Sequence, residues 1–339
     1  MKIKSYCEKP LVRFRVDCEG NASFCHHQNP EGGLNPYIGN LLEDDFEQIW
    51  FGEIADEVRH SVLNDSKHAK CSVTGCPFNS PFQKFDVVYN EYPTHLEIDL
   101  PNTKCNIGGE VPTEENPACI MCKRSSIDFK PQRDKLTDVL LKLKNIVPNL
   151  VQIDIQGFAE PFHERLIFDV LDVLGFDDHC NRIKLTLMTN GTLLSEDVMR
   201  EYLSRVPNSV TNWSLDAATP EVYSAIRFHD FELVLKNLYS FASARNSKKQ
   251  FLLNHNNINV VNVKDVEGMV HIASQINAEH VEFNPTGGHN KSIIVNESNC
   301  GMFYRAQKII ERTAKELGVN VVFLRPLDLG LFYKSSLLT

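Results

Sequence analysis

The sequence has no apolar run approaching the roughly 18 residues that a membrane-spanning helix needs. Its first residues, MKIKSYCEKPLVRF, lack the apolar core of a signal peptide. An excess of positive charge is also lacking, since the formal net charge is −9 at pH 7. A large nucleic-acid footprint needs a basic surface. These absences predict a cytoplasmic protein that has neither a membrane nor a nucleic-acid partner.

Cysteine, in contrast, is abundant, with ten among 339 residues. In a reducing cytoplasm, the cysteines of a chain this long indicate metal ligands or catalytic groups before disulfides. The N-terminal group consists of Cys7, Cys18, Cys25, Cys71 and Cys76. The second group consists of Cys105, Cys119 and Cys122, and Cys180 and Cys300 are isolated.

From residue 95 onwards, apolar β-rich runs alternate with amphipathic segments of helical period. Nearly continuous apolar strands are typical of a parallel sheet covered by helices. The pattern predicts an α/β fold with a complete or partial (β/α)6 barrel, whose chemistry lies at the C-terminal ends of the strands. The predicted strands are 95–100, 150–157, 182–191, 210–218, 250–263, 280–285 and 319–326, and the main helices are 133–147, 164–175, 195–206, 266–276 and 302–317.

The second cysteine group has the spacing C-x13-C-x2-C and follows the first predicted strand of the barrel. A [4Fe–4S] cluster held by three thiolates keeps one iron open to another ligand. A catalytic zinc ion with three protein ligands keeps an open position in the same way. The spacing alone leaves both metals open.

The segment LEIDLPNTKCN followed by CIMC resembles the radical S-adenosylmethionine (SAM) superfamily. That family places three cysteines after its first barrel strand, usually as C-x3-C-x2-C, and about ten residues are inserted here. The resemblance implies that Cys105, Cys119 and Cys122 are the catalytic ligands of a [4Fe–4S] cluster. It also places Met121 near the adenine of SAM.

Further segments resemble the same family in the same order along the chain. QGFAEP (156–161) resembles its Gly-Gly-Glu-Pro motif, which holds the SAM amino group. MTNGTLL (188–194) resembles the end of its third strand, and SLDAATPEVYSAIR (214–227) its fourth-strand segment. NPTGG (284–288) would approach the adenine or the substrate. The resemblance implies that SAM is bound by Gly157, Phe158, Ala159, Glu160, Thr189, Asn190, Ser214, Asp216 and Arg227.

The N-terminal cysteines resemble the auxiliary-cluster domain called SPASM, or twitch in its smaller form. The segment 38–59, IGNLLEDDFEQIWFGEIADEVR, looks like the helix between the cysteines of that domain. The resemblance implies one auxiliary [4Fe–4S] cluster, with Cys18 as an alternative to the first ligand. A structural zinc site that includes His26 is the other interpretation. The implied ligands are Cys7, Cys25, Cys71 and Cys76.

The sequence therefore predicts an auxiliary-cluster domain over 1–88, a radical SAM barrel over 89–290 and a helix–strand extension over 291–339. The implied function is reductive cleavage of SAM to a 5′-deoxyadenosyl radical, which abstracts hydrogen from a small-molecule or peptide substrate. The implied partner is an electron donor such as flavodoxin or ferredoxin. A non-enzymatic, zinc-stabilised binding protein is the alternative.

Overall fold

The computed structural model describes residues 2–25, 37–71, 84–101, 119–121, 129–157, 160–287 and 290–331. The chain forms two compact units, of which the first comprises residues 1–103 and 128–186 and the second residues 104–127 and 187–339. In the ranges described, no helix is both long and apolar enough to cross a membrane. The site predictions that lie outside the described residues are Cys76, Cys105, Cys122, Phe158 and Ala159.

The first unit combines the N-terminal segment with the first two βα repeats. Its helices are α1 (Lys9–Val12), α2 (Phe46–Trp50), α3 (Glu53–Leu63), α4 (Phe129–Leu143) and α5 (Leu166–Leu174), with short 3-10 turns at Lys144–Asn149, His163–Arg165 and Phe176–Asp178. Its strands are β1 (Lys2–Ser5), β2 (Arg13–Asp17), β3 (Asn21–Ser23), β4 (Tyr37–Asn40), β5 (Phe85–Val88), β6 (His95–Leu100) and β7 (Gln152–Gly157).

The strands of the first unit form one mixed sheet in the order β4-β3-β2-β6-β7, and β1 pairs separately with β5. Strands β2, β6 and β7 run parallel, while β3 and β4 add antiparallel to them. Because side chains alternate along a strand, one face of the parallel part is apolar and buried. Its residues are Phe14, Val16, Leu96, Ile98, Leu100, Ile153 and Ile155.

The other face of these three strands carries paired charges. Arg15 lies opposite Glu97 in the register of β2 and β6, and its Nε donates to that carboxylate at 3.0 Å. Arg15 also pairs with Asp99, and Arg13 pairs with Glu97 and lies 3.8 Å from Asp154. A buried charge that loses its partner is strongly destabilising, so these pairs fix β2 beside β6.

The segment 38–59 is not the single helix that its sequence predicts. It forms the end of β4, then α2 and most of α3, with Gly52 as the N-cap between the helices. Trp50 is buried against Phe14, Phe24 and Phe46, and its Nε1 donates to the carbonyl of Glu91 at 2.8 Å. The aromatic core of the first unit therefore anchors this segment.

The second unit continues the alternation of strand and helix. Strand β8 (Lys184–Thr189) carries the chain from the first unit into the second. The strands that follow, β9 (Ser209–Ser214), β10 (Gln250–Ile258), β11 (His280–Pro285) and β12 (Val321–Phe323), are parallel and neighbour one another in that order. The helices are α6 (Glu196–Arg205), α7 (Pro220–Arg227), α8 (Phe231–Ala244), α9 (Val266–Gln275) and α10 (Cys300–Leu317).

Among the predicted element ends that differ from the observed ones, two have a clear local reason. Strand β10 ends at Ile258, because Asn259 donates its backbone N–H to the side chain of Asn262 at 2.8 Å and starts a turn. Helix α4 ends at Leu143, and a 3-10 segment containing Pro148 follows. Proline has no N–H to continue an α-helix.

The α/β class with a mostly parallel sheet is confirmed. Residues 1–88 share a compact unit with the first two strands of the predicted barrel. The division into domains at 88/89 and 290/291 stays a prediction.

Candidate functional site

Three predicted SAM-binding residues meet at the C-terminal end of β9. Ser214 ends that strand, Asp216 follows it, and Arg227 ends α7. Nη2 of Arg227 donates to the Ser214 hydroxyl and to the Asp216 carboxylate. The structure thus brings these three residues together, and their contact with SAM stays a prediction.

Asp216 has a left-handed backbone, with φ of +63°, which few residues other than glycine adopt. Its N–H donates to the Asn256 side chain at 3.0 Å, and its carbonyl accepts from Nδ2 of Asn262 at 2.8 Å. Its Oδ1 accepts from the backbone N–H of Asn257 at 2.6 Å. The end of β10 and the turn after it therefore hold the carboxylate in place.

The guanidinium of Arg227 is charged and incompletely satisfied. Burial lowers its pKa, but the charges of Asp216 and then of Cys119 outweigh burial and raise it overall. Its Nε is buried, and no acceptor among the described residues lies within hydrogen-bond distance. A buried donor without an acceptor is rare in folded proteins, so this atom is a candidate contact for an anionic ligand.

The described piece of the cysteine loop, residues 119–121, packs at the same end of the strands. The N–H of Ile120 donates to the carbonyl of Ile226 at 3.0 Å, and Cys119 is buried. The hydroxyl of Thr286, directly after β11, donates to Sδ of Met121 at 3.6 Å. One predicted cluster ligand and the predicted adenine neighbour thus lie beside Arg227 and the end of β11.

Thr189 and Asn190 form a tight turn at the end of β8. The N–H of Gly191 donates to the Thr189 hydroxyl at 3.0 Å, and Asn190 accepts from the N–H of Thr192 at 2.9 Å. Gly191 has φ of +75°, and a Cβ there would lie 1.9 Å from Trp213. The turn needs glycine, and a SAM-binding role for Thr189 and Asn190 stays a prediction.

Gly157 and Glu160 belong to the first unit. Gly157 has φ of +100°, and a Cβ there would lie 2.9 Å from the carbonyl oxygen of Leu100, its neighbour in β6. Glu160 is buried, and its Oε1 accepts from the N–H of Phe162 at 3.4 Å. Their predicted contact with the SAM amino group stays a prediction.

The described N-terminal cysteines, which are candidate ligands of the auxiliary cluster, differ in their surroundings. Sγ of Cys25 accepts from Nζ of Lys9 at 3.4 Å, which brings Cys25 to the chain just after Cys7. Burial, followed by the charges of Asp17 and Glu19, raises the pKa of Cys18 to about 12. The choice between Cys7 and Cys18 as the first ligand of the auxiliary cluster stays a prediction.

Cys71 donates its backbone N–H to the carbonyl of His68 at 2.9 Å. Within the described residues, no group of three or more His, Cys, Asp or Glu side chains is placed to hold a metal ion. Cys76, Cys105 and Cys122 lie outside those residues, so both ligand sets stay predictions.

A polar cluster on β9, β10 and β11 was not predicted. Glu282 accepts from His255 at 3.0 Å, from His280 at 3.0 Å and from Asn212 at 3.2 Å. The hydrogen bond from His255 lowers the pKa of Glu282 to about 2. Burial lowers the pKa of His255, but Glu282 and the charge of Asp216 outweigh it and raise it. The alternation in HVEFNP and LNHNN is the signal that places these side chains on one face.

Comparison with known proteins adds two findings. The iron–sulfur cluster-binding domain SPASM matches residues 7–77, a span that includes all five N-terminal cysteines. No curated protein matches the sequence.

Two structures of SuiB from Streptococcus suis are similar in fold. SuiB bound to S-adenosylmethionine has 14% identity and a TM-score of 0.50, covering 71% of this chain and 53% of SuiB. SuiB bound to the precursor peptide SuiA has 12% identity and a TM-score of 0.50, and the match covers 98% of this chain and 75% of SuiB. In the first match the chain thus spans about half of SuiB. The predicted α/β fold with a mostly parallel sheet is confirmed, and residues 7–77 match the predicted SPASM domain.

Proposed function

We propose that the chain is a radical SAM enzyme that cleaves SAM reductively and abstracts hydrogen from a substrate. When bound, a [4Fe–4S] cluster on Cys105, Cys119 and Cys122 supplies the electron that converts SAM to methionine and a 5′-deoxyadenosyl radical. The observation that carries the proposal is the position of Cys119 beside Arg227, whose buried Nε lacks an acceptor among the described residues.

The proposed role of Arg227 is to bind the carboxylate of SAM. A guanidinium presents a planar set of donors that suits a carboxylate. Ser214 and Asp216 hold Nη2 and leave Nε for the ligand. Met121, fixed by Thr286, would contact the adenine. Together with Cys119, these residues would form one side of the proposed SAM-binding site.

The remaining contacts to SAM are assigned from the motifs. Glu160 would pair with the ammonium group of SAM, and Gly157 lets the backbone of β7 come close to β6. Phe158 and Ala159 complete that motif. Thr189 and Asn190 would line the same site from the end of β8.

The proposed auxiliary [4Fe–4S] cluster is bound by Cys7, Cys25, Cys71 and Cys76. The match of the SPASM domain to residues 7–77 supports this ligand set. Nζ of Lys9, two residues after Cys7, donates to Sγ of Cys25, so the chain next to one proposed ligand contacts another.

The proposed substrate is a peptide or a small molecule, and the proposed electron donor is a flavodoxin or ferredoxin. The fold similarity to SuiB bound to a precursor peptide supports the peptide. This role places the enzyme in the cytoplasm, where reduced donors are present.

The test is formation of 5′-deoxyadenosine from SAM under anaerobic conditions with dithionite. Replacing Cys105, Cys119 and Cys122 together with alanine should abolish the product. A Cys71→Ala/Cys76→Ala variant should keep some cleavage, because the proposed open iron lies in the other cluster. Cys180→Ala, outside both cysteine groups, is the matched control and should behave as wild type.

Two results would overturn the proposal. One is product formation by the triple variant at the wild-type rate. The other is a chain that, after anaerobic purification, contains zinc and neither iron nor sulfide. That composition would favour the zinc-stabilised binding protein instead.

A further inference from the structure

The polar cluster around Glu282 lies on one face of β10 and β11. In the parallel register, His255 pairs with Glu282 and Asn257 with Asn284. Side chains two residues apart on a strand share a face, so these four side chains form two adjacent rows. Both rows run towards the C-terminal ends of the strands, where Thr286 contacts Met121.

The carboxylate of Glu282 is fully occupied by protein donors. His255, His280 and Asn212 all donate to it within 3.2 Å. A carboxylate with three donors has little capacity left for a cationic ligand. Its effect is to orient His255, whose Nδ1 points at Glu282.

With Nδ1 engaged, the second nitrogen of His255 points along the strand. Nε2 lies 3.4 Å from Oδ1 of Asn257, a distance at the long end for a hydrogen bond. The imidazolium form donates from both ring nitrogens. Because the oxygen of Asn257 faces His255, this contact leaves its amide N–H2 group unused.

Arg325 extends this row of donors beyond β11. Its Nε and Nη2 each lie 3.4 Å from Oδ1 of Asn284, and Nη2 lies 3.4 Å from the carbonyl of Pro285. Arg325 is exposed, and no carboxylate in the described part of the chain pairs with it. The nearby Asp216 is already neutralised by Arg227.

We propose that Asn257, Asn284 and Arg325 form a donor edge that binds a carboxylate group of the substrate. The side-chain oxygens of Asn257 and Asn284 face His255 and Arg325, so each asparagine keeps an amide N–H2 group, and Arg325 adds a positive charge that has no carboxylate partner among the described residues. A carboxylate is the ligand that such donors select by charge and by hydrogen bonding. The donor edge adds a substrate contact to the proposed function. It rests on that function, because the ligand is a substrate only if the chain is the proposed enzyme.

Glu282, His280 and His255 are positioning residues in this proposal. They contact one another or Asn257 and not the ligand. The carboxylate has two sources, an acidic side chain of a peptide or a free carboxylic acid. Both present the same group to the donor edge.

The experiment uses the cluster-loaded chain with labelled histidine, without SAM or reductant, so that it is independent of turnover. The ring resonances of His255, assigned with His255→Gln, are followed by NMR at constant ionic strength. The probes are an end-blocked Ala-Asp-Ala peptide, succinate, and end-blocked Ala-Asn-Ala. Ala-Asp-Ala or succinate should give a saturable shift at least about tenfold tighter than Ala-Asn-Ala.

Tighter binding of Ala-Asp-Ala supports the donor edge with a peptide ligand, and tighter binding of succinate supports it with a free acid. Arg325→Gln should weaken binding at least about fivefold, whereas Arg305→Gln, an exposed arginine on α10, should not. Equal shifts with all three probes, or unchanged binding by Arg325→Gln, would overturn the proposal. Displacement of the probe by SAM would overturn it too, because the donor edge would then belong to the SAM site. A chain that binds the probe but makes no 5′-deoxyadenosine contradicts the proposed function alone.

Discussion

Arg227 and Asp216 form a buried ion pair in which the carboxylate takes one end of the guanidinium and leaves Nε without an acceptor among the described residues. Asp216 reaches this position through a left-handed backbone that Asn256 and Asn262 stabilise. The pair therefore fixes the direction in which Arg227 presents its remaining donors.

Arg227→Lys should weaken SAM binding, because lysine keeps the charge and loses the planar donor set. A hydrogen bond to a charged group contributes about 1.5–3 kcal/mol, which corresponds to a roughly 10- to 150-fold weaker Kd. Calorimetric titration of SAM into the cluster-loaded variant measures this. Arg200→Lys, on the exposed face of α6, is the control, and wild-type affinity of Arg227→Lys would assign Arg227 to the scaffold.

The chain should bind two [4Fe–4S] clusters, so anaerobic reconstitution should give about eight iron ions per chain. Alanine at Cys105, Cys119 and Cys122 should leave about four, and alanine at Cys71 and Cys76 should also leave about four. Cys18→Ala should leave the iron content unchanged, because Cys18 is not among the four proposed ligands of the auxiliary cluster. Loss of iron from Cys18→Ala would show that Cys18, and not Cys7, is the first ligand of the auxiliary cluster.

The ion pair of His255 and Glu282 should contribute to the free energy of unfolding in a pH-dependent way, with a bell-shaped profile. The pKa of Glu282 is lowered from 4.5 to about 2, so its stabilisation is complete above about pH 4.5 and is lost as pH falls towards 2. The pKa of His255 is raised from 6.5, so its stabilisation is complete below pH 6.5 and is lost as pH rises through the raised value.

Glu282→Gln should therefore destabilise the chain most between about pH 4.5 and 6.5, by roughly 2 kcal/mol. Thermal unfolding of both proteins across pH 3 to 9 measures the difference. Glu311→Gln, which removes an exposed pair with Lys308, should change stability by about 0–1 kcal/mol. A Glu282→Gln effect that is independent of pH would contradict the ion pair.

Gly191→Ala should destabilise the chain more than Gly318→Ala, although both glycines have left-handed backbones. At Gly318 nothing lies within 4 Å of an added Cβ, so only the backbone penalty of about 1–2 kcal/mol applies. At Gly191 the methyl group would overlap Trp213, and overpacking adds about 1–3 kcal/mol. Equal melting temperatures for the two variants would show that Trp213 moves without cost.

From residue 95 onwards, the order of the strands followed from sequence because apolar periodicity is local. The predicted strand 280–285 coincides with β11, and the predicted helix 195–206 is close to α6. The motifs of Cys119 and Arg227 were both placed at strand ends, and their shared role in binding SAM stays a prediction.

Two features were not foreseen, since each depends on partners distant in sequence. The alternation in RFRVD indicates a strand, but no local pattern states that Arg15 pairs with Glu97. The cluster of His255 and Glu282 likewise depends on the register of β10 against β11. A residue's own neighbours in sequence do not encode that register.

The parallel pairing of β2 with β6 has a consequence for how the chain is made. Arg15 and Glu97 are 82 residues apart in sequence, so β2 leaves the ribosome well before its partner does. Until β6 emerges, the edge of β2 and its arginines stay unpaired, and the segment that carries the N-terminal cysteines cannot complete its sheet. A chain shortened to begin after residue 88 would instead expose the edge of β6 and leave Glu97 without Arg13 and Arg15. An open edge of that kind invites pairing between molecules, so we expect such a fragment to aggregate.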